Sequence, residues 1–354
     1  FLRFLWASVE AALQTIIRLV DFATERWMES RYEESSRNVG IDISLPDGIR
    51  HFVGDPDVFH WYHGHSQTEI TSSALMAVEK WLYLNLEKEQ DVSSAIELIL
   101  TASRSVAFLG VLCEVGKFSP NLFAGLLRPL LLVPEIYFED RRFLRGGGAL
   151  MGTGASFLEG EWFFNLAREW DAMEHRKREL VQIAAHHFHH HPETRTVLSA
   201  ARIAWSKLEQ PVDERRRANL EALIAQFDEQ NWKEDSLPDG RKVLSYYPPE
   251  HLAPDPEVIS RNEKQMLLIS LPLTCRNMIS QGQTLGEEEI PAFIRQAKDL
   301  AGFEPEDEDV LELSPVANSL LGTIAVLFLL HRDWLEDHPD EEKWCLEELA
   351  DVLA

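Results

Sequence analysis

The densest group of side chains capable of chemistry is a histidine tract, His186, His187, His189, His190 and His191, with His175 upstream. On an α-helix His186 and His190 lie four residues apart, as do His187 and His191. Each pair therefore shares one face at a spacing that can chelate a divalent metal. A carboxylate such as Glu174 or Glu179 would complete the set and give a helical metalloenzyme. A zincin, however, needs a glutamate directly after its first histidine to act as base, and here His187 or Phe188 stands there. The structural alternative is favoured: imidazoles gathered at the negative end of a helix dipole, just before Pro192. A second group, His60, His63 and His65 beside Trp61 and Tyr62, has no cysteine or paired carboxylate to complete it. It reads as loop aromatics packing where a helix begins.

The remaining candidates are thinner. Arg145-Gly146-Gly147-Gly148, then Gly152 and Gly154, form a glycine-rich stretch with no Lys-Ser or Lys-Thr after it, which reads as a flexible connection rather than a phosphate loop. The acidic run Glu304, Glu306, Asp307, Glu308 and Asp309 lacks the ligand spacing and glycine of a calcium loop. Glu159 and Glu161 beside Trp162 imitate a carboxylate pair but fit equally the acidic preference of a helix start. No nucleophile elbow of the Gly-x-Ser-x-Gly type occurs. The expectation is a chain that is not itself an enzyme, with no catalytic or cofactor-binding residue and no cofactor of its own.

Elements must now be found to position these residues. The chain has 354 residues, 34 basic and 59 acidic, for a formal charge of −25. At roughly 100–200 residues per domain, that length allows two domains or one long helical array. The negative excess argues against nucleic acid or an anionic lipid surface as a direct partner. Cys113, Cys275 and Cys345 are too few and too scattered for a disulfide or zinc framework, which suggests a reducing, cytoplasmic setting. The longest apolar run, 320–330, suits a core helix and is too short to span a bilayer. Phe1 in place of an initiator Met leads us to expect a piece of a longer polypeptide.

Leu2, Leu5, Val9, Leu13, Ile16 and Val20 recur at three- and four-residue steps, one stripe of a helix. Gly40, Pro46-Asp47-Gly48 and Gly54-Asp55-Pro56 then mark a loop-rich stretch. A long helix is expected from Thr68. Shorter ones follow over 92–102, 105–116 and 121–132, then over 157–167, 170–191, 193–208 and 213–230. The stretch 235–256 reads as a turn-rich linker holding a short extended segment at 242–247. Helices resume over 257–280, where Pro272 should kink or end the helix, and over 286–301, 316–334 and 341–353. The fold class expected is all-α with little or no β, a helical-repeat-like array of the HEAT or TPR kind or an irregular bundle. Four regions are expected: 1–60, a helix and loop able to pack on a missing upstream domain; 61–234, a helical array; the 235–256 linker; and 257–354, a C-terminal block.

Trp61-Tyr62-His63-Gly64-His65, the run from Thr68-Glu69-Ile70 through Trp81-Leu82-Tyr83, Ser103-Arg104-Ser105-Val106-Ala107 with Gly110-Val111-Leu112, Leu271-Pro272-Leu273-Thr274-Cys275-Arg276, the run 325–335, His338-Pro339 and Trp344-Cys345 together resemble the middle of very large bacterial ATP-binding proteins. These are STAND-type P-loop NTPases and the anti-phage defence proteins related to them. The resemblance implies a non-catalytic helical scaffold or sensor, with ATP and Mg held only in an upstream domain and a protein as partner. None of the family's nucleotide-binding residues has a counterpart here. Contact residues are expected among the aromatics Trp61, Tyr62, Trp232, Tyr246 and Tyr247, because aromatics anchor interfaces. A third reading is self-assembly through the apolar N-terminal helix.

Overall fold

The computed structural model describes residues 1–33, 36–37, 39–63, 69–145, 169–170, 172–208, 213–236, 241–253, 255–303 and 315–353. It is mostly helical, 73%, and divides into two compact units, Phe1–Leu252 and Ala253–Ala354. Each is described by itself.

In the first unit the N-terminal stripe is buried, on two helices rather than one. Ser8 takes an extended backbone (φ −160°, ψ 96°) and separates α1 (Leu2–Ala7) from α2 (Val9–Arg31). Leu5, Leu13, Ile16 and Val20 are fully buried. α4 (Glu69–Leu86) and α5 (Ser93–Ala102) cover these two helices. α6 (Val106–Phe118) is apolar almost all round and so lies inside, where α4 and α3 (Pro56–Phe59) pack on it. Asp55 caps α3, accepting from the Val58 amide at 3.0 Å, while its other oxygen accepts from Trp27 Nε1 at 3.0 Å. Gly110 on α6 leaves room for the Phe59 carbonyl and the Tyr62 ring, which a side chain there would meet.

Two corrections concern β-structure. The stretch expected as loop around 40–54 is an antiparallel hairpin, β1 (Gly40–Leu45) and β2 (Gly48–Val53), with Ile41 opposite Phe52 and Ile43 opposite Arg50. Its inward alternation, Ile41 and Ile43 between exposed Asp42 and Ser44, is too short to stand out beside the turn residues. Likewise, the segment expected to be extended near 242–247 is β4 (Lys242–Tyr246), paired with an unforeseen β3 (Trp232–Ser236). The stretch expected as linker therefore holds half a hairpin and the 3₁₀ turn Glu250–Leu252.

Two expected helices are also shorter. The stretch 121–132 is two 3₁₀ turns, Pro120–Ala124 and Arg128–Leu132, because Gly125 and Pro129 interrupt it. The stretch 170–191 is a 3₁₀ turn, Glu174–Lys177, followed by α8 (Leu180–His190). α7 (Pro134–Arg145), α9 (Pro192–Trp205) and α10 (Glu214–Gln226) complete the unit.

The regular elements of the second unit are all helices among its described residues. Pro272 does not end α11 (Pro256–Gln281). The carbonyl it deprives of a donor, that of Leu268, accepts instead from Ser319 Oγ of α13 (Pro315–Leu330) at 3.4 Å. Leu271, Cys275 and Met278 of α11 pack with Phe293, Ala297 and Leu300 of α12 (Ile290–Leu300) and Leu320 and Val326 of α13. The helix expected to reach 334 stops at Leu330, and α14 (Arg332–Glu336) and α15 (Pro339–Leu353) follow. His331 forms the break, its Nε2 accepting from the Leu285 amide at 3.1 Å. Among the described residues no helix is long and apolar enough to cross a membrane.

Candidate functional site

Six charged side chains of the first unit are no more than 4% exposed among the described residues; Asp55 caps α3, and the other five form a cluster, Glu79 of α4, Glu114 and Lys117 of α6, Asp140 of α7 and Arg176 of the 174–177 turn. Burial of charge without a partner is costly, so their arrangement has to be reciprocal. Lys117 Nζ lies 2.8 Å from Glu114 Oε1 and 2.7 Å from Asp140 Oδ1. The second oxygen of Asp140 accepts from the Leu180 amide at 2.6 Å, tying the start of α8 to the cluster. Arg176 pairs with Glu79 Oε1 and contacts His63 Nδ1 at 3.0 Å. Tyr62 donates to Glu114 at 3.4 Å, the longest link of the set.

A relay runs beside these pairs. Tyr83 donates its proton to Glu79 Oε1 at 2.6 Å, and His175 Nε2 lies 2.9 Å from the same hydroxyl. Tyrosine has a single proton, so Nε2 of His175 must be the donor in that contact. Burial lowers His175 to about 4, which keeps it neutral at pH 7. Burial also raises Glu79 to about 7, against the opposing pull of Arg176. Asp140 is raised, again chiefly by burial. At Glu114 burial acts upward too, but Lys117 and Arg176 overcome it and hold the carboxyl below its ordinary value. The three carboxylates surround Lys117 and Arg176, both held protonated by those charges.

The arrangement contains acid, base and relay. Its groups are turned on one another and are almost closed to solvent. A signal for it lies in the sequence: Glu79, Glu114 and Lys117 fall among the apolar residues that face the core, where a charge needs a buried partner. Asp140 and Arg176 sit in charged runs that read as solvated faces.

The expected contact residues separate into two groups. Trp61 and Tyr62 are each 2% exposed, which fits the reading of aromatics packed at a helix entry and removes both from the contact residues expected. Trp61 packs edge-on against Trp27 at 5.7 Å, and Tyr62 serves the charge network. Trp232, Tyr246 and Tyr247 lie at the surface hairpin β3–β4. Trp232 donates to the Gln226 carbonyl at 2.8 Å and packs on His189 (4.7 Å) and Tyr246 (5.4 Å). Tyr247 is 44% exposed and donates to Asp235 at 2.8 Å, while Leu244 is 43% exposed.

The histidine tract is helical as far as His190, with His191 extended between α8 and α9. His186 and His190 stack on the exposed side, rings 4.2 Å apart. His190 Nδ1 donates to the His186 carbonyl at 2.8 Å. His187 is buried and donates from Nε2 to the Pro120 carbonyl at 2.8 Å; its ring lies 4.7 Å from that of His191. Glu174 is paired with Lys177 and Glu179 with Arg141, so neither carboxylate is directed at the tract. Among the described residues no group of three or more His, Cys, Asp or Glu side chains is placed to hold a metal. His65, the glycines at 146–154, Glu159, Glu161, the 157–167 helix and the acidic run at 304–309 lie outside the described residues.

A surface cleft of about 440 Å³ has Ile41, Phe59, Phe138, Arg142 and Arg216 in its lining. Both arginines already face carboxylates, Asp57 and Glu135. No protein-family model matches this chain, and no curated protein matches it in sequence.

Proposed function

We propose that this chain is a non-catalytic scaffold or sensor region of a large bacterial P-loop NTPase of the STAND type, serving anti-phage defence. It recognises a protein and couples that recognition to a nucleotide-binding domain elsewhere in the polypeptide. Its helical blocks would form a paired array of the HEAT or TPR kind, working in the cytoplasm, with ATP and Mg bound only by the upstream domain. The family part of this reading rests on the sequence resemblance.

The observation that supports recognition is the hairpin β3–β4. No residue of either strand is buried, and among the described residues the sheet has two strands only. Its base is fixed by Trp232, while Leu244 and Tyr247 stand exposed beside unpaired strand edges. Open edges with an aromatic anchor suit capture of an extended peptide segment by strand addition. Lys233, Glu234, Asp235 and Lys242 charge the strands, which disfavours edge-to-edge pairing of two copies.

A photo-reactive residue in place of Leu244, in the natural polypeptide expressed in its own host, tests the reading. Expected is one dominant crosslinked protein, with crosslinking abolished by Tyr247→Ala. Crosslinks only to a second copy would replace recognition by self-assembly. Crosslinks unaffected by Tyr247→Ala would remove the hairpin from the reading.

A further inference from the structure

The buried network is one positive charge short. Among the described residues Glu79, Glu114 and Asp140 face only Lys117 and Arg176, and the shortage falls where cationic compensation is thinnest. Asp140 has partners on both oxygens, Lys117 and the Leu180 amide. Glu114 also leaves its Oε2 without a hydrogen-bond partner, but it contacts Lys117 and lies in the field of Arg176 as well, so two cations hold it ionised. Among the described residues Glu79 has Arg176 as its one contacting cation. Its Oε1 is engaged by Arg176 and Tyr83, whereas its Oε2 is buried with no hydrogen-bond partner. A proton on Oε2 would supply the missing charge and leave both contacts of Oε1 in place.

We propose that Glu79 Oε2 is a buried proton-binding site, filled or empty according to the pH around the protein, and that its charge sets how tightly the turn bearing His175 and Arg176 is held. Tyr83 acts on Glu79 from its own helix, and Arg176 and His175 from the 174–177 turn. Glu114 and Lys117 face it from α6, Tyr62 and His63 belong to the adjoining turn Trp61–His63, and Asp140 closes the set from α7. Without the proton, Glu79 forms a full ion pair with Arg176. With it, the guanidinium faces a neutral acid, and Glu114 becomes its nearest negative charge. Burial brings the exchange to about pH 7, from an ordinary value of 4.5.

The linkage has a definite sign. A carboxyl raised in the folded state keeps a proton that the unfolded chain has lost. Its contribution to stability is therefore fully present below pH 4.5 and is lost as pH rises through about 7. Between pH 6.5 and 8 the folding equilibrium should fall about 4-fold on this account. His175 acts in the opposite sense, mainly between about 4 and its ordinary 6.5, and offsets about 2-fold of that fall at the lower end of the window.

The test is a carbon-detected titration of glutamate carboxyls in the intact chain, alongside amide exchange at Arg176 and Leu180. Expected is one glutamate with a midpoint near 7 that disappears in Glu79→Gln. The exchange of both amides should step at the same pH in the wild type and stay flat in that variant, apart from intrinsic chemistry. In Tyr83→Phe, which keeps the ring and removes the donor to the carboxylate, the midpoint should rise. Should Glu79→Gln not fold, this second variant decides. A wild type whose glutamates all titrate in the ordinary range overturns the proposal. So does a midpoint near 7 that is insensitive to Tyr83→Phe, or an exchange step absent from the wild type.

Discussion

Replacing Lys117 by Met is expected to destabilise the first unit by about 3–5 kcal/mol near neutral pH. The lysine side chain is fully buried and meets Glu114 and Asp140 at 2.8 and 2.7 Å. Methionine occupies similar volume, so the loss is not that of a cavity. What remains is three buried carboxylates with the single cation Arg176, and the two that Lys117 met, Glu114 and Asp140, lose their contacting cation. The intact pairs add little net stability, since desolvation offsets most of the attraction; the penalty comes from leaving one side uncompensated. Both acids can escape it by taking up protons, so the loss should shrink as pH falls toward 5. Urea denaturation of wild type and variant at pH 7.5 and pH 5 measures this. A difference below 1 kcal/mol at pH 7.5, or one that grows on acidification, contradicts the description of the network.

Trp61→Ala should be about as damaging, at about 3–5 kcal/mol, whereas Tyr247→Ala should stay within about 0.5 kcal/mol of the wild type. Both residues are aromatic and both follow turn signals, so sequence alone ranks them together as contact candidates. In the fold Trp61 is 2% exposed and lies edge-on to Trp27, whose indole donates to the helix-capping Asp55. Truncation there empties a cavity and removes one wall of the α2–α3 junction. Tyr247 is 44% exposed and gives up only a surface hydrogen bond to Asp235. Thermal denaturation of the two variants separates them, and equal losses would mean that one of the two burial assignments is wrong.

The helices were legible where a three-to-four-residue apolar rhythm runs uninterrupted, as along α2 and α4. They were misread where tertiary demands override rhythm. In the run Glu174–Lys177 the adjacent His175 and Arg176 are both drawn into one interior site, which a straight continuation into α8 does not provide. At Pro272 the local rule forecast a break, but the side chain of Ser319, 47 positions on, replaces the missing donor to the Leu268 carbonyl. The first hairpin was hidden because Ile41 and Ile43 are the only inward positions of β1. As for the site, Glu79, Glu114 and Lys117 were visible as charges on apolar helices. Their pairing with Asp140 and Arg176 spans 23 and 97 positions and leaves no trace in local pattern.

The central functional claim is that this chain couples recognition at the β3–β4 hairpin to a nucleotide-binding domain elsewhere in its polypeptide. The most direct measurement is ATP hydrolysis by the natural polypeptide, before and after addition of the protein captured at Leu244, for the wild type and for Tyr247→Ala. The account expects a Gly-x-x-x-x-Gly-Lys-Ser/Thr site upstream of this chain, and hydrolysis that changes with the captured protein in the wild type. The basal rate should be kept and the response lost in the variant. A polypeptide with no such site, or a response untouched by Tyr247→Ala, would contradict it.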